Sequence, residues 1–215
     1  MLRTISVAIS GICLLCAPAG ASAPSPVTGP PPELLSHARQ ARSCAVQAGL
    51  LDAPGDRLAV IDFSLPSDEA RLWVMDEVTG KVLFHELVAH GKNTGVREAT
   101  AFSDIPGSNQ SSLGLYVGAE PYVGKHGTSL RLDGLEPGIN GNARDRAIVV
   151  HGAQYATPDF VRQHGRLGRS FGCPAVRPEV VGPLIQELRQ GTPLFTWHDD
   201  SDWLSTSQLS GCSAG

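Results

Sequence analysis

Apolar and polar positions follow two rhythms along this chain. From Arg57 onward, RLAVIDFS, RLWVMDEV and KVLFHELVA are short runs rich in Val, Leu, Ile and aromatics, separated by Pro-Ser-Asp and Thr-Gly-Lys turns. They predict three strands, the last two joined by a hairpin at Val78-Thr79-Gly80-Lys81. Further strands are expected around Leu113 to Val117, Ser129 to Leu132 and Thr192 to Trp197. Ala147 to Val150 is a wholly apolar run, read as a buried strand that delivers His151 and Gly152 at its C-terminal end. The second rhythm is helical. Leu34, Leu35, Ala38, Ala41, Ala45 and Ala48 predict an amphipathic helix over Ser36 to Leu51 that carries Cys44, and Pro178 to Gln190 predicts another, ended by Gly191. The expected class is mainly β with a few helices (α+β).

Where neither rhythm holds, the chain is read as loop. His90 to Gly118 is dominated by Gly, Asn and Ser, and long loops in a compact domain are usually functional. Residues 199–215, acidic and Ser-rich, show no periodicity, and only Cys212 suggests that they are tied down. Residues 24–32, APSPVTGPP, read as an extended Pro-rich tether. Ahead of it, Arg3, the apolar run Ile5 to Cys16 and Ala21-Ser22-Ala23 have the form of a cleaved signal peptide, residues 1–23. An exported protein, periplasmic or cell-wall associated, is therefore expected. No later stretch is apolar enough for a transmembrane segment. Lipidation at Cys13 or Cys16 is the competing reading, against which Leu15 and Ile12 stand where small residues usually precede a lipidated Cys.

The formal charge of −4 carries no basic run and gives no support to a nucleic-acid partner. Cysteine usage changes the picture more. Without Cys13 and Cys16, the chain keeps Cys44, Cys173 and Cys212, an odd number for an oxidising compartment. Cys44 and Cys212 lie near the two ends, which often approach one another in a domain, so they are expected to pair and leave Cys173 with a free thiol. Cys173 stands between Gly172, which allows close backbone approach, and Pro174; His151 follows the buried strand with Gly152 beside it. A thiol becomes an effective nucleophile when an imidazole takes or balances its proton, so the two make a candidate catalytic pair. A nearby imidazole or helix N-terminus is expected to set the thiol below its free value. The plainer alternative is a strand-end histidine and a small buried cysteine.

With residues 90–176 in view, the chain resembles the exported murein L,D-transpeptidases, the YkuD-like cysteine enzymes, in the branch with Trp-Gly-Cys-Pro-Ala at the nucleophile. The matching pieces are His90-Gly91, Pro106-Gly107-Ser108, Gln110 to Gly114, Gly124-Lys125-His126-Gly127, Gly134-Leu135-Glu136, Ala147 to Gly152 and Ser170 to Val176. The resemblance spans residues 33–198 and implies an L,D-transpeptidase-like β-sandwich or barrel with an N-terminal helix and a helix after the cysteine. It implies Cys173 as acylated nucleophile, His151 as base, the Gly152 backbone as orienter of the imidazole, and the Cys173 N–H with Gly172 beside it as oxyanion site. Its substrates would be peptidoglycan stem peptides, its inhibitors β-lactams of the carbapenem type, its cofactor none, its state a monomer. The better-known Ser/Thr-His-Gly-Cys-x-Arg motif is not kept, since Phe171 and Ala175 replace its His and Arg. Arg146, Arg169 or Arg177 is then left to bind a substrate carboxylate, with His126 and Tyr155 as further substrate-side residues.

Two other functions compete. A zinc hydrolase would draw on His90, His126, His151 and Cys173, yet neither His-x-x-x-His nor Cys-x-x-Cys occurs. A non-catalytic wall-binding module would make Cys173 dispensable.

Overall fold

A computed structural model describes residues 28–53, 55–125 and 127–212. The expected signal peptide, the first residues of the tether, and His126 lie outside the described residues.

Helix α1 (Pro32–Gln47) begins earlier than its spacing suggests, because Pro32 occupies the first turn, where its missing N–H costs nothing. Leu34, Ala38, Ala41, Cys44 and Ala45 form its buried stripe, and Gly49 at φ +70 turns the chain away. Strands β1 (Arg57–Asp62), β2 (Leu72–Asp76) and β3 (Val82–Glu86) form an antiparallel meander. The long arm β4 (Gly114–Gly124) pairs with β5 (Gly127–Gly134), then come β6 (Val149–Gly152) and the two-residue β7 (Ala175–Val176). β8 (Pro193–Trp197) returns to the centre of the sheet, parallel to β1 and antiparallel to β4. The order is β3-β2-β1-β8-β4-β5-β6-β7. Just beyond β3, Ala89 bridges to Ala175 of β7, so the two edges meet and the sheet is nearly closed.

Helix α2 (Pro158–His164) is absent from the sequence reading because it buries none of its residues and so leaves no apolar stripe; Thr157 caps it and Gly165 at φ 68 ends it. Helix α3 (Pro178–Leu188) packs Val180, Leu184, Ile185 and Leu188 inward over β5 and β6. The far half of β4 was also unreadable: Glu120, Pro121 and Val123 are exposed, so no alternation marks it as strand.

The segment after β8 has no periodicity but is anchored. Asp200 caps helix α4 (Ser201–Thr206), Trp203 is buried with its ring edge-on to Trp197 at 5.3 Å, and Leu209 is buried. The buried carboxylate of Glu136 accepts the Leu115 N–H at 3.0 Å and the Ser207 hydroxyl. Cys44 and Cys212 form a disulfide, with Cα atoms 5.9 Å apart. Among the described residues no helix is long and apolar enough to cross a membrane.

Candidate active site

The β5-β6-β7 ladder brings His151 and the Cys173 segment together. His151 pairs with Ser129 on one side and in parallel with Ala175 on the other, and its N–H donates to the Pro174 carbonyl at 3.4 Å. Cys173, two residues before Ala175, is thereby delivered beside the end of β6. Its thiol is half-buried and free, with Sγ 3.7 Å from the Ala147 carbonyl. His151 is 3% exposed. Its Nδ1 lies 3.1 Å from the Gly152 carbonyl, which can only accept, so Nδ1 carries the proton and Nε2 is the basic nitrogen of the neutral ring. Tyr155 borders His151, its ring edge-on at 6.5 Å, and burial, with a smaller influence of Cys173, pushes its hydroxyl up to about 12.

The turn carrying Cys173 is fixed by two serines. Ser170 Oγ donates to the Cys173 carbonyl at 2.6 Å and accepts the Gly172 N–H at 3.0 Å. Ser111 Oγ donates to the Gly172 carbonyl at 3.0 Å and accepts the Gly91 N–H at 3.0 Å. Gly172 has φ +127, and a Cβ there would meet Gln110 O at 2.8 Å, so both conformation and space require glycine. The Gly172 N–H is thus committed to Ser170 Oγ.

The expected sign of the thiol shift is reversed. Burial pushes the Cys173 thiol up, outweighing the Val149 N–H, the Arg146 and Lys125 charges and its own N–H, all of which favour the thiolate.

His90 stands behind this turn, 1% exposed. A guanidinium has only donors, so Arg71 Nη2 donates to His90 Nδ1 at 2.8 Å, and the His90 Nε2–H faces the Gly95 carbonyl at 3.4 Å. Burial and the Arg71 charge push His90 down to about 4. With both nitrogens engaged, His90 offers no lone pair to a metal, which removes one ligand from the zinc reading. Among the described residues no group of three His, Cys, Asp or Glu side chains converges.

The candidate arginines differ in setting. Arg177 is held bidentately by Glu86 at 2.9 and 2.8 Å. Arg146 points inward, its side chain 3% exposed. Half-buried Arg169 donates to the Lys92 and Gly95 carbonyls, both at 3.2 Å, on the rim of the loop beside Ser170. Phe171 is 66% exposed, with Lys92 Nζ 4.6 Å over its ring. Next to Gly152, a groove of about 680 Å³ runs between Lys125, Thr128, Tyr155, Glu179 and Val181.

Sequence reading missed Ser111, Ser170, Lys125 and Ala147 as contributors. A serine two residues before a glycine that needs an unusual φ is a readable signal, because a short hydroxyl side chain bonds nearby backbone. Ala147 gives none: it adopts φ 54 without being Gly, Asn or Asp.

The family model for the L,D-transpeptidase catalytic domain matches residues 31–197. No curated protein matches the chain. Among solved structures, the chain is similar to an L,D-transpeptidase from Mycobacterium smegmatis at 14% identity and TM-score 0.43, covering 66% of this chain and 59% of that one. It is similar also to LD transpeptidase LdtMt1 in complex with imipenem, at 15% identity and TM-score 0.42, with coverage of 66% and 59%. The figures for an L,D-transpeptidase from Stackebrandtia nassauensis are 14% and 0.40, with coverage of 69% and 58%. The chain thus spans under two thirds of the length of these structures. The match over residues 31–197 takes in the whole sheet and both candidate reacting residues, and the chain belongs to the L,D-transpeptidase catalytic domain family.

Proposed function

We propose that this protein is an exported cysteine acyltransferase that acts on peptidoglycan stem peptides through a thioester on Cys173. The observation that supports the reading is the pairing of His151 with Ala175 in a family member, which brings the strand of an imidazole of fixed tautomer next to the segment of the one free cysteine of the described residues. The Cys44–Cys212 disulfide supports an oxidising compartment outside the cytoplasm.

In this mechanism His151 Nε2 takes the proton of the Cys173 thiol as sulfur attacks the carbonyl carbon of the bond that follows an L-centre and precedes a D-residue. A tetrahedral oxyanion forms, facing the Cys173 N–H. It collapses by breaking the C–N bond, and protonated His151 gives its proton to the departing amine. An acceptor amine, or water in the carboxypeptidase variant of the reaction, then attacks the thioester and gives a proton to His151. Sulfur leaves and is reprotonated. Burial, which opposes ionisation of the thiol, suits an order in which its proton passes to His151 as the new bond forms. Arg169, half-buried and bonded through Nη1 to the Lys92 and Gly95 carbonyls, is the arginine proposed to meet a substrate carboxylate, because Glu86 already pairs with Arg177 and Arg146 is buried.

The test is incubation with a purified stem tetrapeptide, followed by mass analysis of the Cys173 peptide and of the products. A thioester adduct or a transfer or hydrolysis product, lost in Cys173→Ala, is expected. Neither, in folded protein whose Cys173 alkylates normally, overturns the reading.

A further inference from the structure

Arg146 is a cation folded into the protein rather than toward solvent. Nη1 donates to the Ser103 carbonyl at 2.8 Å, to Ser112 Oγ at 2.6 Å and to Asp104 Oδ1 at 3.5 Å. Nη2 donates to the Gln110 carbonyl at 2.5 Å and to Ser108 Oγ at 3.3 Å. Among these acceptors Asp104 is the only carboxylate, its contact is long, and its other oxygen takes the Asn142 N–H at 2.9 Å. The guanidinium is therefore solvated by the 103–112 loop more than it is neutralised.

That loop is the floor on which the nucleophile turn rests. A Cβ on Gly172 would lie 2.8 Å from Gln110 O and 3.3 Å from Arg146 Nη2. The residue after Arg146 is Ala147, whose left-handed conformation accompanies a carbonyl 3.7 Å from Cys173 Sγ. The pair thus offers the sulfur an acceptor that holds its proton and, from behind, a cation that favours its loss.

Building on the assignment of Cys173 as nucleophile, we propose that Arg146 is a positioning residue: it gathers the 103–112 loop under Gly172 and supplies a fixed positive charge behind the Cys173 sulfur. Other groups also bear on this turn. The Lys125 charge, on the β4-β5 turn, also favours the thiolate, Tyr155 follows β6, His151 lies on neighbouring β6, and Lys92 sits over neighbouring Phe171. Lys125 is exposed, so its influence is screened by salt, whereas that of buried Arg146 persists.

The experiment is the pH dependence of Cys173 alkylation by iodoacetamide, read on the Cys173 peptide of the full chain. It reports thiol ionisation whether or not stem peptides are substrates, so it separates this proposal from the proposed function. In Arg146→Gln the midpoint should rise by about one pH unit, with alkylation at pH 7 slowed about tenfold, and the shift should survive high salt. Arg146→Lys should recover more than half of it. An unchanged midpoint in folded Arg146→Gln, or equal shifts in the Gln and Lys variants, overturns the proposal. If Arg146→Gln does not fold, Asp104→Asn decides: loss of the opposing carboxylate should lower the midpoint, and a rise or no change overturns the proposal.

Discussion

Ser170 Oγ donates to the carbonyl of Cys173 at 2.6 Å while accepting the Gly172 N–H at 3.0 Å, so one hydroxyl closes the turn from both ends. Ser170→Ala should leave two backbone groups without this partner, at a cost of about 1–3 kcal/mol. Misplacement of the sulfur should lower turnover by about 100-fold. Ser170→Thr keeps the hydroxyl and should recover most of that loss. Thermal melts and turnover of the two variants check this, and equal activity in Ala and wild type refutes it.

His151→Gln should lower turnover by about 10²–10⁴-fold with the fold retained, because Gln can keep a contact to backbone but cannot take the thiol proton. Activity at the wild-type level in a folded variant would shift the base role to another group, with His126 the first to examine.

A β-lactam is a strained acyl donor, and membership of this family makes a carbapenem the natural probe. Acylation by meropenem should occur at Cys173 alone and vanish in Cys173→Ser. Burial raises the thiol, so the thiolate population rises with pH through a midpoint above that of a free thiol. Iodoacetamide labelling should therefore still accelerate beyond about pH 8.5. A plateau near neutral pH would show that the thiolate is favoured at rest after all.

Glu136 gives a pH dependence of stability. Burial pushes its carboxyl up, with the Ser207 hydroxyl and the Leu115 and Leu209 amides opposing. A group raised on folding contributes stability that is full below its unfolded value and is lost as pH rises through its folded value. Glu136→Gln mimics the protonated form and should remove that slope. The stability difference, variant minus wild type, should grow as pH rises above about 4.3 and then level off. Parallel urea midpoints for both proteins from acid to neutral pH would contradict this.

The Cys44–Cys212 disulfide closes almost the whole described chain into one loop, with a sequence separation of 168. On the chain-entropy account that contributes about 4–5 kcal/mol. Reduction, or Cys212→Ser, should lower the melting temperature and loosen α4 first, because Leu209 and Ser207 lie next to the tether. Hydrogen exchange of residues 201–209 measures it.

The strands were legible because buried strands write compact apolar runs, and the Cys44–Cys212 disulfide because an odd cysteine count near the two ends is conspicuous. Cys44, Cys212 and the strand before His151 all fall in that class. Helix α2 and the outer half of β4 were not legible, since elements that bury little leave no periodicity. The thiol shift was misjudged because composition shows which charges sit nearby but not how deeply the sulfur is buried. The Arg146 contacts come from a loop some forty residues away in sequence, and no local pattern records them.

The bridge between Ala89 and Ala175 also bears on how the turn that carries Cys173 is held. β7 is two residues long and has β6 on one side and the segment after β3 on the other. The first contact is comparatively local, while the second joins distant parts of the chain and carries the larger loop-closure cost. The cysteine lies two residues before that seam. Until the seam closes, Ala175 lacks its Ala89 partner and the turn lacks the Ser111 link between Gly91 and Gly172. On the role proposed above for Cys173, its reactivity should therefore depend on closure of this seam as well as on its immediate neighbours.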